Sequence, residues 1–237
     1  MSNRKRIASI AFTGAAAAAA VGMNMGPAAA AAGTWTTSPA TGGFTGQNIN
    51  TATLSANGIA FTCAPGAAST AGQVSGNGKA YSPPAPTQLG TISQANFGVT
   101  NSNCKLLGQA ISAQFTTGAP PYDVNGKTYH ASTGVTSGSL TNISARINTK
   151  STDSINCHLT VTGSLPGSIH NGPYSRSGTN YGSHVFAINP GNTAKTLKIK
   201  SVSGSTTFCT SLFHPGDAAA FSAIYSTNPP LTVTATS

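Results

Sequence analysis

The segment 33–63, GTWTTSPATGGFTGQNINTATLSANGIAFTC, sets Thr and Ser in alternation with apolar residues and interrupts the pattern at Gly-Gly and Asn-Gly. Successive side chains of a strand point to opposite faces, so this period-two pattern with turn punctuation commits the segment to β-structure with one buried face. The same pattern returns in TISQANFGV, AISAQF, KTYHAST, SLTNISARIN, CHLTVTG, SHVFAI, TLKIKSV, AAAFSAIYS and LTVTAT. Between these runs lie SGNGKAYSPPAP, TTGAPP, NGPYSRSGTNYG, NPGN and HPGD, all of them turn or loop chemistry. Charged residues make up only 6% of the chain, and Ser, Thr, Asn and Gly all disfavour helix by competing for backbone hydrogen bonds or adding backbone entropy. The expected fold is all-β, an antiparallel β-sandwich or barrel-like domain of about ten to twelve short strands.

The four cysteines Cys63, Cys104, Cys157 and Cys209 are even in number, and three pairings satisfy them. We expect Cys63 with Cys104 and Cys157 with Cys209, since sequential pairing staples each half separately. Each bridge would then contribute about 4 kcal/mol in the chain-entropy account. Zinc is disfavoured, because no Cys-x-x-Cys spacing occurs.

Disulfides presuppose an oxidising compartment, and the first residues supply a route to one. Arg4, Lys5 and Arg6 precede an Ala-rich apolar run that ends near an Ala-x-Ala site, which reads as a secretory signal over residues 1–32 cleaved between Ala30 and Gly33. Asn24, Gly26 and Pro27 interrupt that run short of the ~20 apolar residues a membrane span needs, so no transmembrane anchor is expected after cleavage. The remaining residues 33–237 read as one secreted β domain.

An internal duplication, with halves at about 44–146 and 147–237, is suggested by two similar spacings. Cys104 precedes Phe115 by 11 residues and Cys209 precedes Phe221 by 12.

Removing Arg4, Lys5 and Arg6 leaves nine basic residues against Asp123, Asp153 and Asp217, a net charge of +6, and there is no Glu. General acid–base catalysis, oxygen-ligated metals and glycoside hydrolysis all draw on carboxylates. We therefore expect a non-enzymatic protein without catalytic residues, cofactor or metal site. The five histidines show no His-x-His or His-x-x-x-His spacing, and His214 and Asp217 in FHPGD read as a local turn hydrogen bond.

The Ala-rich leader, the GTW near the start of the mature chain, the four spaced cysteines, YD followed by GVTSGSLTNI, and HPGDAAAFSAIYS resemble the small secreted proteins of unknown function found in actinobacteria. The resemblance covers most of the mature chain in pattern and composition. It implies export from a Gram-positive cell and carries over no activity, cofactor or site residue.

Two stretches invite a functional reading. PPYDVNGKTYHAS holds Asp123, His130 and Ser132 around Asn125-Gly126. With Asn-Gly as a two-residue hairpin turn, Tyr122 would pair with Tyr129 on one face, while Asp123, Thr128, His130 and Ser132 would share the other. That is a polar row rather than a hydrolase triad, because a regular strand offers Ser132 no nucleophile turn and no oxyanion donors.

The second is AKTLKIKSV, where Lys198 and Lys200 face away from Leu197 and Ile199 and follow Lys195. Together with Tyr174, Arg176 and Tyr181 of the 171–182 loop, these lysines form the expected binding surface. The partner classes are cell-wall polymer or acidic glycan, and with two Arg in the mature chain nucleic acid is not expected. Trp35, like Tyr174 and Tyr181, is a candidate for stacking on sugar rings, or else plugs one end of the core. A pore-forming barrel is disfavoured, since the strands carry Ser and Thr where a membrane barrel needs an apolar band. The resulting expectation is a secreted protein with a structural or surface-interaction role in the envelope or extracellular space, or a glycan- or anionic-polymer-binding module.

Overall fold

The computed structural model describes residues 33–97, 104–106, 113–117, 121–149, 157–204 and 207–236. The expected signal segment and the Ala30–Gly33 cleavage fall outside them, except Gly33 itself, as do Lys150 and Asp153.

Within the described residues the chain is nearly all β. The first strands are β1 (Gly33–Ser38), β2 (Gly42–Asn48), β3 (Ala52–Ala56), β4 (Ile59–Cys63), β5 (Ala68–Val74) and β6 (Ala80–Tyr81). The middle of the chain gives β7 (Thr87–Phe97), β8 (Cys104–Leu106), β9 (Ala113–Thr117), β10 (Tyr122–His130), β11 (Val135–Thr149) and β12 (His158–His170). It ends with β13 (Ser175–Arg176), β14 (Thr179–Asn180), β15 (Val185–Ile188), β16 (Leu197–Ser203), helix α1 (Thr207–Leu212), β17 (Ala218–Asn228) and β18 (Thr232–Thr236).

The antiparallel all-β class is as expected, but several strands are longer than the sequence suggests, β11 reaching 15 residues and β12 reaching 13. Asn125 and Gly126, which read as a turn, and Gly163, which read as the end of a run, lie instead inside continuous strands. Asn142 (φ 58°) and Gly163 (φ 143°) flank the irregularity where β11 and β12 shift register. Bulges of this kind bend a strand without ending it.

Pairing closes the main sheet. The order β15-β12-β11-β10-β7-β5-β2-β17 is completed by pairing of β17 back onto β15, every contact antiparallel. Further along the same strands β16 bridges β12 and β17, while β3, β4 and β8 continue outward from β17. β17, from the second sequence half, thus lies between β2 and β3 of the first. Closure removes the unpaired edges that would otherwise template association along this ring.

The ring's interior is apolar. Leu54, Ile92, Tyr122, Val161, Leu197 and Tyr225 converge on it around a cavity of only about 60 Å³. Side chains therefore fill the centre, as eight-stranded rings allow.

Both expected disulfides form. Cys63 and Cys104 are direct cross-strand partners of β4 and β8, with Cα atoms 4.0 Å apart, and Cys157 joins Cys209 of α1. Phe213, just after α1, stacks on Phe61 with ring centroids 6.0 Å apart, tying this corner to β4.

A separate sheet, β18-β1-β6, covers one end of the ring. Trp35 of β1 is 1% exposed and meets Tyr81 edge-on at 4.7 Å, so of its two readings it takes the plugging position and offers no exposed ring to a sugar. The approach depends on a row of glycines in register across three strands, Gly126 of β10, Gly138 of β11 and Gly167 of β12. A Cβ on Gly126 would lie 3.1 Å from Trp35 Cη2, and one on Gly138 only 1.8 Å from the carbonyl oxygen of Asn125.

That arrangement corrects the expected hairpin. Asn125 and Gly126 are interior residues of β10, paired with Ser139 and Gly138 on one side and with Gln88 and Thr87 on the other. The turn comes at 131–134, where the N–H groups of Thr133 and Gly134 donate to the His130 carbonyl and Gly134 adopts φ 65°. Gly126 is needed for close approach by Trp35 and Leu89 rather than for positive φ, and the Asn-Gly signal cannot separate the two demands.

Candidate functional site: a basic outer face

With β10 continuous, the polar row expected around Asn125-Gly126 does not exist. Asp123 and His130 lie seven residues apart on one strand, roughly 23 Å at strand spacing. Ser132 is exposed in the turn beyond them. Both oxygens of Asp123 are occupied by carboxamides, Oδ1 accepting from Gln88 Nε2 at 2.7 Å and Oδ2 from Asn142 Nδ2 at 2.5 Å. Tyr122 does not pair with Tyr129. It points into the ring, donates to the Ser144 carbonyl at 2.8 Å, and burial pushes its phenol pKa up.

The six residues expected to form one binding surface divide into two places. Tyr174, Arg176 and Tyr181 belong to the β13–β14 hairpin, whose turn residues Ser177 and Gly178 both take positive φ. Tyr174 and Tyr181 lie 5.9 Å apart, and His170 meets Tyr174 at 4.2 Å. Both tyrosines pack on Val185, Ala187 and Ile224, so each ring has one side committed to a small apolar cluster. His170 shares a 2.8 Å hydrogen bond with Ser168 Oγ, and burial holds its imidazole pKa below the ordinary value.

The lysines are elsewhere. Lys198 pairs with Thr162 of β12, eight residues before His170, so the two groups are separated by roughly 25 Å along that strand. Leu197 and Ile199 are buried while Lys198 and Lys200 are exposed, as the alternation required, and Lys195 is exposed in the segment before β16.

What pairing adds to the lysines is Arg146. It sits opposite Thr160 of β12, and Thr160 in turn sits opposite Ser201 of β16, with Lys200 as the extra residue of the bulge at that point. Arg146 and Lys200 therefore flank one central strand, roughly 10 Å apart between backbones. Lys198 extends the group one step along β16. Hydroxyls fill the intervening outer positions, Ser144, Thr160, Thr162 and Ser201. His158 continues the face, its Nδ1 2.8 Å from Asn148 Oδ1. The signal for Arg146 in the sequence was its place opposite the buried Ile143 and Ile147 in strand alternation, but nothing there says which strand lies beside it.

Both described carboxylates are engaged elsewhere. Asp217 Oδ2 accepts from the backbone N–H of His214 at 2.6 Å and from Asn57 Nδ2 at 2.5 Å, and the His214 imidazole lies 3.6 Å away. This is the local turn bond expected of HPGD. Among the described residues His214–Asp217 is the one ion pair, so Arg146, Lys198 and Lys200 have no carboxylate partner there. Cations on two strands that flank β12, spaced by hydroxyls and with no carboxylate partner among the described residues, suit a flexible anion that can touch several of them at once.

Comparison with protein-family models, curated proteins and solved structures finds no match to this chain.

Proposed function

We propose that this is a secreted, non-enzymatic protein with a surface-interaction role, which holds an anionic polymer of the cell envelope or extracellular space on the outer face of β11, β12 and β16. The observation that carries this reading is the convergence of Arg146, Lys198 and Lys200 from two strands flanking β12, with no described carboxylate to neutralise them. Export is supported by the two disulfides, which persist in oxidising compartments, by the signal-like first 32 residues, and by the resemblance to secreted actinobacterial proteins. Cell-wall polymers rich in phosphate and acidic glycans both have the required chemistry.

The test is retention of purified protein on polyphosphate-coated beads and on isolated Gram-positive cell walls across a salt gradient. Retention should fall steeply with salt, because exposed cations act through screened, long-range attraction. The triple variant Arg146→Gln, Lys198→Gln, Lys200→Gln should elute well before the parent, whereas Lys79→Gln, with its ammonium on the Gln88 carbonyl, should not. Retention indifferent to salt, or equal loss from Lys79→Gln, would reject the assignment.

A further inference from the structure

A second outer surface lies across β17, β2, β5 and β7. Register aligns Asn228, Thr45, Ala71 and Gln94 as direct neighbours on those four strands. Beside this row Gly43 pairs with Gln73. The middle positions are small and the ends carry carboxamides, which leaves an open trough of about 320 Å³ roughly 14 Å from wall to wall.

The trough is built by a bulge. Ala71 pairs with Gln94 but Gly72 pairs with Ile92, so Ser93 is an extra residue on β7 and both Ser93 and Gln94 face outward. A Cβ on Gly72 would lie 2.1 Å from the Thr91 carbonyl oxygen, so the irregularity is maintained by glycine. Bulges of this kind re-aim side chains beside binding sites.

The chemistry of the lining is uniform. It contains no ionisable side chain, and its polar groups are hydroxyl and carboxamide. Thr45 Oγ1 donates to the Asn228 carbonyl at 3.2 Å, a contact that fixes one wall to the floor. Among the described residues the carboxamides of Gln73, Gln94 and Asn228 make no hydrogen bond within the protein, so three groups that both donate and accept face one space.

We propose that this trough binds a neutral saccharide, one or two sugar residues of an uncharged glycan. Vicinal hydroxyls donate and accept at once and match carboxamides that do the same. An anion would find no cation here, and an apolar ligand would bury these amides unpaired. The site is separated from the basic face by β10 along one side of the ring, so it neither uses Arg146, Lys198 or Lys200 nor depends on the anion-binding reading.

The experiment is a ¹H–¹⁵N titration of the full mature protein at high salt, which silences the basic face. The probes are neutral disaccharides of glucose, mannose, galactose and N-acetylglucosamine. At least one should shift the side-chain signals of Gln73 and Gln94 and the backbone signals of Gly43 and Ser93. Gln94→Ala with Asn228→Ala should weaken that probe about 10-fold or more, as loss of two hydrogen-bonding walls implies. Gly43→Val, whose first added atom would stand 3.4 Å from Gln73 Nε2, should block the trough while leaving the spectrum of the β18-β1-β6 sheet intact. No shift from any probe, shifts centred on Tyr174 and Tyr181 instead, or shifts that survive both variants would overturn the proposal.

Discussion

Gly126 distinguishes the strand from the hairpin, because the two demand glycine for different reasons. In an Asn-Gly turn the residue supplies positive φ, and Asn would replace it at little cost. In β10 it supplies space. A Cβ there would stand 2.5 Å from Leu89 Cδ1, 3.2 Å from Leu89 Cγ and 3.1 Å from Trp35 Cη2, all in buried side chains. Gly126→Ala is thus an overpacking change, expected to cost about 1–3 kcal/mol. For a domain of this size each kcal/mol lowers Tm by roughly 2–4 °C. Leu89→Ala alone should cost about 2–5 kcal/mol through the cavity it leaves. In the double variant the new methyl enters part of that cavity, so the combined loss should fall short of the sum by about 1 kcal/mol. Urea unfolding followed by fluorescence measures all three, since Trp35 is the sole tryptophan and sits at the perturbed contact. Additivity of the two substitutions, or a Gly126→Asn variant as stable as the parent, would refute the strand reading.

Other consequences can be read from stability. Asn48, 1% exposed, donates to the carbonyls of Asn50 (2.7 Å) and Ala64 (2.9 Å) and accepts from the Ala68 N–H (2.7 Å), so Asn48→Ala should cost about 3 kcal/mol at about 1 kcal/mol per bond. Amide exchange at Ala68 should accelerate in the same variant, and unchanged exchange would contradict the role given to Asn48. Replacing both cysteines of either disulfide by Ser should cost about 4 kcal/mol in denaturant, the loops spanning 41 and 52 residues. His170 has its folded pKa below the unfolded value because burial penalises the cation, so the unfolded chain binds more protons as pH falls. Its contribution is intact above the unfolded pKa of about 6.5 and is lost as pH drops toward the folded value. A His170→Gln variant should therefore show a flatter decline in stability between about pH 7 and 5, and an unchanged decline would assign the effect to another group.

Class and inward faces were legible because alternation is local. Leu197 and Ile199, or Leu159 and Val161, announce a buried face without any knowledge of the partner strand. The cysteine pairs followed from an argument about halves that needed no geometry. Three kinds of information were out of reach. The first was the function of Gly and Asn inside strands, since Gly126, Asn142 and Gly163 carry the residue types of turns while serving as close-approach points and bulges. The second was strand order. Lys198 and Lys200 were visible as a stripe, but Arg146 joins them only through the long-range pairing of β11 with β12 and of β12 with β16. The third was distance along a strand, for Tyr174 and Lys198 both adjoin β12, yet at places roughly 25 Å apart.

The direction of the alternation also bears on what the ring can do. Along β12 the buried residues are Leu159, Val161, Leu165 and Ile169, while Thr160, Thr162, Ser164 and Ser168 take the other face. A membrane barrel places its apolar residues on the outside and its polar ones within. Here the order is inverted, and the interior is filled down to about 60 Å³. The pore-forming reading would need every one of these strands to turn over, a one-residue register slip that alternation with one buried face strongly opposes. The two proposed binding surfaces accordingly lie on the outer faces. Their scarcity of carboxylates has opposite effects at two places, leaving Arg146, Lys198 and Lys200 without a carboxylate partner among the described residues of β11 and β16, and leaving the trough on β2, β5 and β7 with amides and hydroxyls alone. One composition thus yields one face suited to polyanions and another suited to uncharged sugars, and the salt gradient and the high-salt titration examine them separately.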